Sequence, residues 1–579
     1  MKKLLALLLA VIMVISMAAC APTEPDTTTE APKGTTAAPA GTTVAATTTE
    51  PALDLTALPF VEPGSKKLTI GIQINGTVLD YEDNSLTKYI EESTGIDIEP
   101  VFFSSDTDEA RKQLSLMVAA KEKLPDIIIG ILDESMRLDL GHNGYLVDQT
   151  EYFEKYSYYH KNYVESLSEA FQTRIKSKIT DLTTGAIYAF PSINVDYGVG
   201  NVSWAGGINM AMAKNVGMDP EEIDTVAEVY DYLKATVKGD GNQNGENDEL
   251  GLLYYQGLYN GNIEQWIINA YVYCNDSELF NVTDGKVWSP YASDEYREAM
   301  IEMNKWYAEG LISPLCYSLT TEAEMKALIN KPENYTATVY GGHTTRFATA
   351  GDDFALQYTS IKHLADETGK GGWAVLKDNL SCSLRGYITT DCEDPVLAFR
   401  LMDFLCADTT MHYQRFGEEG VHWAHYDGEA EGHKDGLGNW AGLKIIKDEF
   451  STETKANWHV LLMQAGDPIG QNHGTNYVDF SDPGHFRIIV YKNLWDRQAG
   501  KMPAELARGL VYEEEELETK NEYWDLYTQY VLQSRAQMIT GVIDPNDDAA
   551  WEKYVEELEF NGESELMDIV QEAYNRLNG

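Results

Sequence analysis

The sequence predicts an α/β fold in which parallel strands alternate with helices. Three observations predict it. Between residues 66 and 132, apolar strand-like runs are separated by helical periodicity in the order strand, helix, strand, helix, strand. That alternation favours a parallel sheet with right-handed crossovers. The third run, PDIIIGIL, is continuously apolar, as a strand buried on both faces should be. At 579 residues the chain is long enough for two or more domains around a large core.

The elements follow in order. KLTIGIQI, beginning near Lys66, is the first strand. SLTKYIEESTG is the first helix, with Ser85 as its cap and Gly95 as its stop. DIEPVFF is the second strand. DEARKQLSLMVAAKEK is a helix that sets Leu114, Met117 and Ala120 on one face, and it leads into the third strand. The pattern then changes. Residues 151–163 are rich in Tyr, and GAIYAFPSI predicts a short strand ending at Pro191. A helix is expected at about 225–238, where Thr225 and Glu228 have capping-box spacing and Val226, Val229, Leu233 and Val237 form the apolar stripe. TATVYGG at 336–342 is a further strand. LRGYITTDCEDPVLAFRLMDFLCA reads as strand, turn and helix, with Asp394 and Pro395 at the helix start. The last 70 or so residues read as three helices, and the acidic run at 513–518 as a solvated face.

The N-terminus reads as an export signal. Lys2 and Lys3 precede LLALLLAVIMVISM and the small residues before Cys20. The apolar run is short of the roughly 20 residues that a membrane-spanning helix needs. MAAC resembles a bacterial lipobox with Met17 where Leu is usual, which implies cleavage before Cys20 and a lipid on its thiol. Residues 21–50 are Thr-, Pro- and Ala-rich without an aromatic, so they form a disordered tether.

With 92 acidic against 44 basic residues, the formal charge is −48. Nucleic acid is excluded as a partner, because phosphate contacts need clustered Lys and Arg. The five cysteines beyond Cys20 contain no C-x-x-C, so they are read as mostly buried thiols and not as a zinc or redox site.

Residues 240–249, DGNQNGENDE, have the alternation of a calcium loop. Asp240, Asn242 and Asn244 offer side-chain oxygens at every second position, and Gly245 stands where such a loop turns sharply. Glu246 offers its carbonyl, and Asp248 and Glu249 add two carboxylates. Gly251 stands where an EF-hand would place its last Glu, and no exiting helix is expected. The expectation is a structural calcium ion and not a sensor, the alternative being a polar turn without an ion.

Several segments together resemble one family, the extracellular solute-binding lipoproteins of ABC importers, in the large subgroup that includes alginate- and oligosaccharide-binding members. They are KLTIGI, TKYIEESTGIDIEPVFF, QLSLMVAAKEKLPDIII, KGDGNQNGENDELGL, NKWYAEGLIS, ITTDCEDPVLAFRLMDFL, GEEGVHW and the tail from ITGVIDPNDD to YNRL. The resemblance covers about residues 66–578. It implies a type II-like periplasmic-binding-protein fold with two α/β lobes, a hinge and a ligand cleft between them. Residues 1–19 would be the signal, and 20–65 the lipidated Cys20 and tether. Lobe I would be 66–190 plus 336–425, and lobe II 191–335 plus 426–579. It also implies the calcium loop at Asp240, Asn242, Asn244, Glu246, Asp248 and Glu249. The protein would be a lipid-anchored monomer facing outward, handing a carbohydrate to ABC permease subunits.

Sugar rings present apolar C–H faces to aromatic side chains and hydroxyls to polar ones. Candidate ligand contacts lie near the expected hinge crossings: Trp204, Trp266, Trp423, Tyr340, Arg346, Asn260 and Gln265. Each aromatic could equally be core, and Trp306 is read as core. No H-E-x-x-H, G-x-S-x-G, Walker A or Rossmann glycine pattern is present. His422 and His425 lack a third metal ligand. Other readings stay open: a receptor for peptide or another nutrient, a sensor partner, or a secreted glycoside hydrolase.

Overall fold

The structure, a computed structural model, describes residues 53–76, 78, 80–195, 205–255, 262–331, 335–341, 357–376, 378–425, 442–446, 463, 465–466, 495–497 and 500–578. Strands β1 (Lys66–Gln73), β2 (Ile96–Phe103) and β3 (Ile127–Ile129) pair in parallel around β1. Two strands from elsewhere in the chain extend this sheet. β4 (Phe190–Val195) and β10 (Leu380–Ile388) pair antiparallel, and β10 pairs antiparallel with β3. The order is β2-β1-β3-β10-β4, so the sheet is mixed and not purely parallel.

β3 shows why its run is continuously apolar. Ile127 and Ile129 join one core cluster with Leu68, Ile70 and Phe399, while Ile128 joins another with Leu114 and Tyr387. Both faces are covered. β4 runs through Pro191 and does not stop there. A proline is tolerated because β4 is an edge strand, opposite a register shift between Leu384 and Gly386. The first helix, Ser85–Thr94, is capped by Asn84, whose side chain accepts the Leu86 N–H at 3.0 Å, and not by Ser85. The next, Thr107–Ala120, buries Ala110 and Leu114 and leaves Ala120 exposed, so its inward face lies nearer its N-terminus than predicted.

A second sheet has the order β8-β5-β9, with β5 (Ala205–Asn209) antiparallel to β8 (Thr338–Gly341) and β9 (Tyr358–Ser360). This places the TATVYGG strand differently from the sequence-based boundary at 336, which assigns it to the first lobe. Val339, Tyr340, Tyr358, Ile361 and Leu364 pack in one core with Val226, Trp306 and Leu558. The chain therefore returns to the first sheet only between Leu376 and Leu380. The helix Val226–Lys238 carries the predicted Thr225–Glu228 capping box and buries Val226, Val229 and Leu233. Trp306 is core, as expected.

The three C-terminal helices, Glu514–Thr540, Asp548–Phe560 and Glu563–Asn578, complete this second core. The acidic run is mostly solvated, but Glu516 is buried and accepts from Arg576 at 2.6 Å. The lobes touch at the helix Glu134–His142. Its Leu138 belongs to the second core, and Ser135 accepts from Asn521 at 2.8 Å. The five cysteines beyond Cys20 are free thiols, four of them buried.

Two histidines, buried His160 and half-buried His363, set an acid limit on stability. Burial lowers His160 from 6.5 to about 3 and His363 to about 4. Both are neutral in the fold, so the unfolded chain binds more protons once pH falls below 6.5. The stability they contribute is complete above that pH and declines as pH falls towards 4 and 3. The loss is about 1.4 kcal/mol per pH unit for each, or about 2 kcal/mol each at pH 5. Urea unfolding at pH 7 and pH 5 checks this, and His160→Leu flattens the dependence. An equal slope in wild type and variant contradicts it.

Candidate functional site

The calcium-type loop is the best-defined candidate. The helix Val226–Lys238 delivers the chain to Asp240, which has φ 51°, and the turn is completed at Gly245, φ 93°. The alternating side chains turn their oxygens inward. Asp240 accepts the N–H groups of Asn244 and Gly245, each at 2.9 Å. Asn242 Oδ1 also accepts the Asn244 N–H at 2.9 Å, and Asn244 Oδ1 accepts that of Glu246 at 2.7 Å. Asn244 Nδ2 donates to Asp248 at 3.3 Å. Glu249 is only 5 % exposed. Its Oε1 accepts the Asn242 N–H at 2.9 Å, and its Oε2 is buried without a partner.

Such an orphaned carboxylate oxygen is costly to bury unless a cation or donor meets it. The loop then leaves as extended chain. Leu250 N–H donates to the Tyr335 carbonyl, and Ala337 N–H to the Leu250 carbonyl, each at 2.8 Å. It therefore ties the end of a helix to the entry of β8. Among the described residues no three His, Cys, Asp or Glu side chains converge as a metal cluster. Three of the loop's expected ligands are of other kinds: two asparagines and the Glu246 carbonyl. The carboxylates also repel one another until a cation neutralises them. The oxygen-only donor set and the buried Glu249 Oε2 fit a hard divalent ion.

The aromatic candidates are placed differently from a simple cleft lining. Trp266 is 1 % exposed, and its indole N–H donates to the Lys362 carbonyl at 2.6 Å. Tyr340 is 1 % exposed within β8, in the second core. Both are interior side chains here. Trp423 is also 1 % exposed. It donates to the Gly417 carbonyl at 2.8 Å, stacks on His412, and borders a first-lobe cavity of about 550 Å³ with Tyr89, Tyr413 and Glu92. Tyr89 and Tyr413 are themselves stacked at 4.0 Å. Trp204, Asn260, Arg346 and Cys20 lie outside the described residues. His422 accepts the Glu418 N–H at 2.9 Å, and His425 packs edge-on against Trp423.

Gln265 sits on the short helix Glu264–Ile268, whose base is a buried ionic network that sequence reasoning did not find. Arg535, fully buried, donates twice to Asp276, at 2.8 and 2.6 Å, and to the Tyr296 hydroxyl at 3.2 Å. Asp276 also accepts from Asn262 at 3.4 Å and from Tyr291 at 3.2 Å. Burial alone would raise the Asp276 carboxyl, but Arg535 prevails and holds it below the usual range. Glu264, 3.8 Å from Arg535, is raised by burial and accepts from Tyr254 and Tyr317. The network fixes the segment that carries Gln265 and Trp266.

The fold is similar to that of solved solute-binding proteins. The chain superimposes on an HMO-binding, ABC-transporter-associated solute-binding protein from Bifidobacterium longum infantis with a TM-score of 0.68. The identity is 17%, covering 88% of this chain and 99% of that one. More particularly, it resembles FusA. The Streptococcus pneumoniae FusA EF-hand mutant in complex with fructo-nystose matches with a TM-score of 0.64 and 18% identity, covering 89% of this chain and 99% of that one. The alginate-binding protein AlgQ2, solved without calcium ion, matches with a TM-score of 0.59 and 18% identity, covering 89% and 98%. By sequence, 282 residues are 27% identical to the fructooligosaccharide ABC transporter substrate-binding protein FusA of S. pneumoniae serotype 4, covering 46% of this chain and 48% of FusA. A further 32% identity over 101 residues links it to lipoprotein LipO of Bacillus subtilis, covering 17% and 19%. The chain thus matches under half the length of these curated relatives. No family model matches. No helix among the described residues is long and apolar enough to cross a membrane.

Proposed function

We propose that this protein is the outward-facing solute receptor of an ABC importer, anchored through Cys20, and that it captures a carbohydrate of oligosaccharide size between its lobes. The observation that carries this reading is the two-lobe fold combined with the 282-residue similarity to a fructooligosaccharide-binding protein. Capture and release require only that ligand favour the closed arrangement of the lobes. No chemical step is asked of the protein. Trp204, Asn260, Gln265 and Arg346 remain the proposed ligand contacts, while Trp266, Tyr340 and Trp423 are interior side chains. A thermal-shift screen of neutral oligosaccharides and peptides tests the reading. Sugars raise the melting temperature and peptides leave it unchanged. A shift with peptides and none with sugars overturns it.

The loop at 240–249 is proposed to hold a structural calcium ion through Asp240, Asn242, Asn244, the Glu246 carbonyl, Asp248 and Glu249. Support comes from the orphaned Glu249 oxygen and from two structural neighbours, an EF-hand mutant of FusA and AlgQ2 solved without calcium ion. The ion supplies charge neutralisation and a cross-link between the helix end and β8. At a calcium concentration about 1,000 times its dissociation constant, it adds about 4 kcal/mol of stability. Calorimetry with chelator therefore shows a melting temperature lowered by several degrees and restored by calcium. An unchanged midpoint after verified metal removal contradicts the assignment.

A further inference from the structure

A second cavity lies wholly on the second lobe, and none of the ligand contacts proposed above is among its lining residues. Its volume is about 420 Å³, within the range of small-molecule sites. Four aromatic residues line it: Tyr271, Tyr273, Trp288 and Trp373. Tyr271 and Trp288 pack against the second core and are half-buried, Tyr273 is buried, and Trp373 is half-buried, so the rings line the cavity from a fixed wall. The hairpin of β6 (Asn281–Thr283) and β7 (Lys286–Trp288) holds one wall, and the Trp288 indole N–H is satisfied by Thr283 at 3.0 Å. The opposite wall is fixed by Trp373, whose backbone N–H donates to the Asn269 carbonyl at 3.0 Å.

The polar groups of the cavity carry one sign of charge. Asp284, Glu295 and Glu505 line it, and no Lys or Arg side chain does. Glu505 is held in place by the Gly285 N–H at 3.2 Å and the Tyr574 hydroxyl at 3.5 Å. Asp284 and Glu295 are exposed at the rim. Behind the lining, Arg508 donates to the Tyr273 hydroxyl at 3.5 Å but is paired with Glu278, and carboxylates dominate around Tyr271. The Tyr271 hydroxyl is raised above the usual phenol range, first by burial and then by Glu302, Glu367, Glu298 and Asp366.

These features select a ligand class. An anion is repelled. A neutral ligand gains from the rings but nothing from the field. An organic cation gains from both, since aromatic faces attract cations and nearby carboxylates add Coulomb energy. We infer that the pocket formed by Tyr271, Tyr273, Trp288 and Trp373 with Asp284, Glu295 and Glu505 is a second binding site, which takes a small solute bearing an alkylammonium group. The site goes beyond the interlobe carbohydrate site, and because one lobe supplies every wall it persists whether the lobes are open or closed.

The test compares choline with its uncharged isostere 3,3-dimethyl-1-butanol on the whole mature chain, by calorimetry and by the indole NMR signals of Trp288 and Trp373. Choline shifts both indoles and binds about tenfold more tightly than the isostere. Its affinity falls with added salt. Glu295→Gln and Asp284→Asn, surface changes that spare the fold, each weaken choline severalfold and leave the isostere unaffected, while Trp373→Leu weakens both. Equal binding of choline and the isostere overturns the inference, as does choline binding insensitive to both carboxylate variants. Failure of choline to perturb either indole also overturns it. Oligosaccharide binding measured on the same variants stays at the wild-type level, so this site and the interlobe site fail or stand separately.

Discussion

Arg535→Leu destabilises the second lobe by about 3–5 kcal/mol, the cost of leaving a buried carboxylate without its counter-ion. Asp276 would lose its two guanidinium hydrogen bonds, at 2.8 and 2.6 Å, and keep only neutral donors such as Asn262 and Tyr291. The Tyr296 hydroxyl would lose its contact with Arg535 Nε. Glu264 is already raised by burial and can take up a proton, so Asp276 bears the main penalty. The paired change Arg535→Leu with Asp276→Asn recovers much of the loss, because it removes the unpaired charge as well as the pair. Urea unfolding of the two variants measures this. A loss below about 1 kcal/mol in the single variant contradicts the role assigned to the network. On the proposed function, oligosaccharide affinity falls with it, because Glu264, Gln265 and Trp266 share the helix that the network anchors.

Gly371→Ala is the second large effect. Gly371 has φ 81°, and a Cβ there would sit 1.7 Å from the Ala270 carbonyl oxygen. The left-handed backbone costs about 1–2 kcal/mol for an alanine. The clash adds to this, for a total of about 3 kcal/mol or more. Gly369 is the control. Its φ is 77°, but nothing lies within 4 Å of the added carbon. Gly369→Ala therefore shows the backbone cost alone. Equal losses in the two variants would mean that the close approach to Ala270 carries no weight. Ala270 follows the Glu264–Ile268 helix by two residues, so this contact braces the same segment from its other end.

The first lobe was largely legible because its signals are local. β1, β2 and β3 are apolar runs bounded by recognisable helices, and β3, read as buried on both faces, packs against a core on each side. The lobe boundary was not legible at 336. TATVYGG could join either sheet, and its partner β5 is AGGIN, whose glycines give no strand signal. Pro191 looked like an end because proline cannot donate to a ladder, but an edge position does not require that donor. The Arg535–Asp276 pair joins residues 259 apart in the chain, so no spacing motif announces it. Aromatic wealth could not say which way the rings face. Trp266 and Trp423 each find a backbone carbonyl for the indole N–H and bury the ring, which composition cannot distinguish from stacking on a ligand. The Asp240–Glu249 loop, proposed to hold calcium, was the reverse case, since ten consecutive residues carry nearly all of its hydrogen-bond geometry.

Titration calorimetry of the mature chain with a panel of neutral oligosaccharides, in the presence of calcium, tests the central claim most directly. The account predicts one-to-one binding of at least one oligosaccharide, with a negative heat-capacity change as apolar surface is buried and with the sugar recovered intact afterwards. Binding of peptides with no heat from any oligosaccharide, or recovery of the sugar in cleaved form, would contradict it.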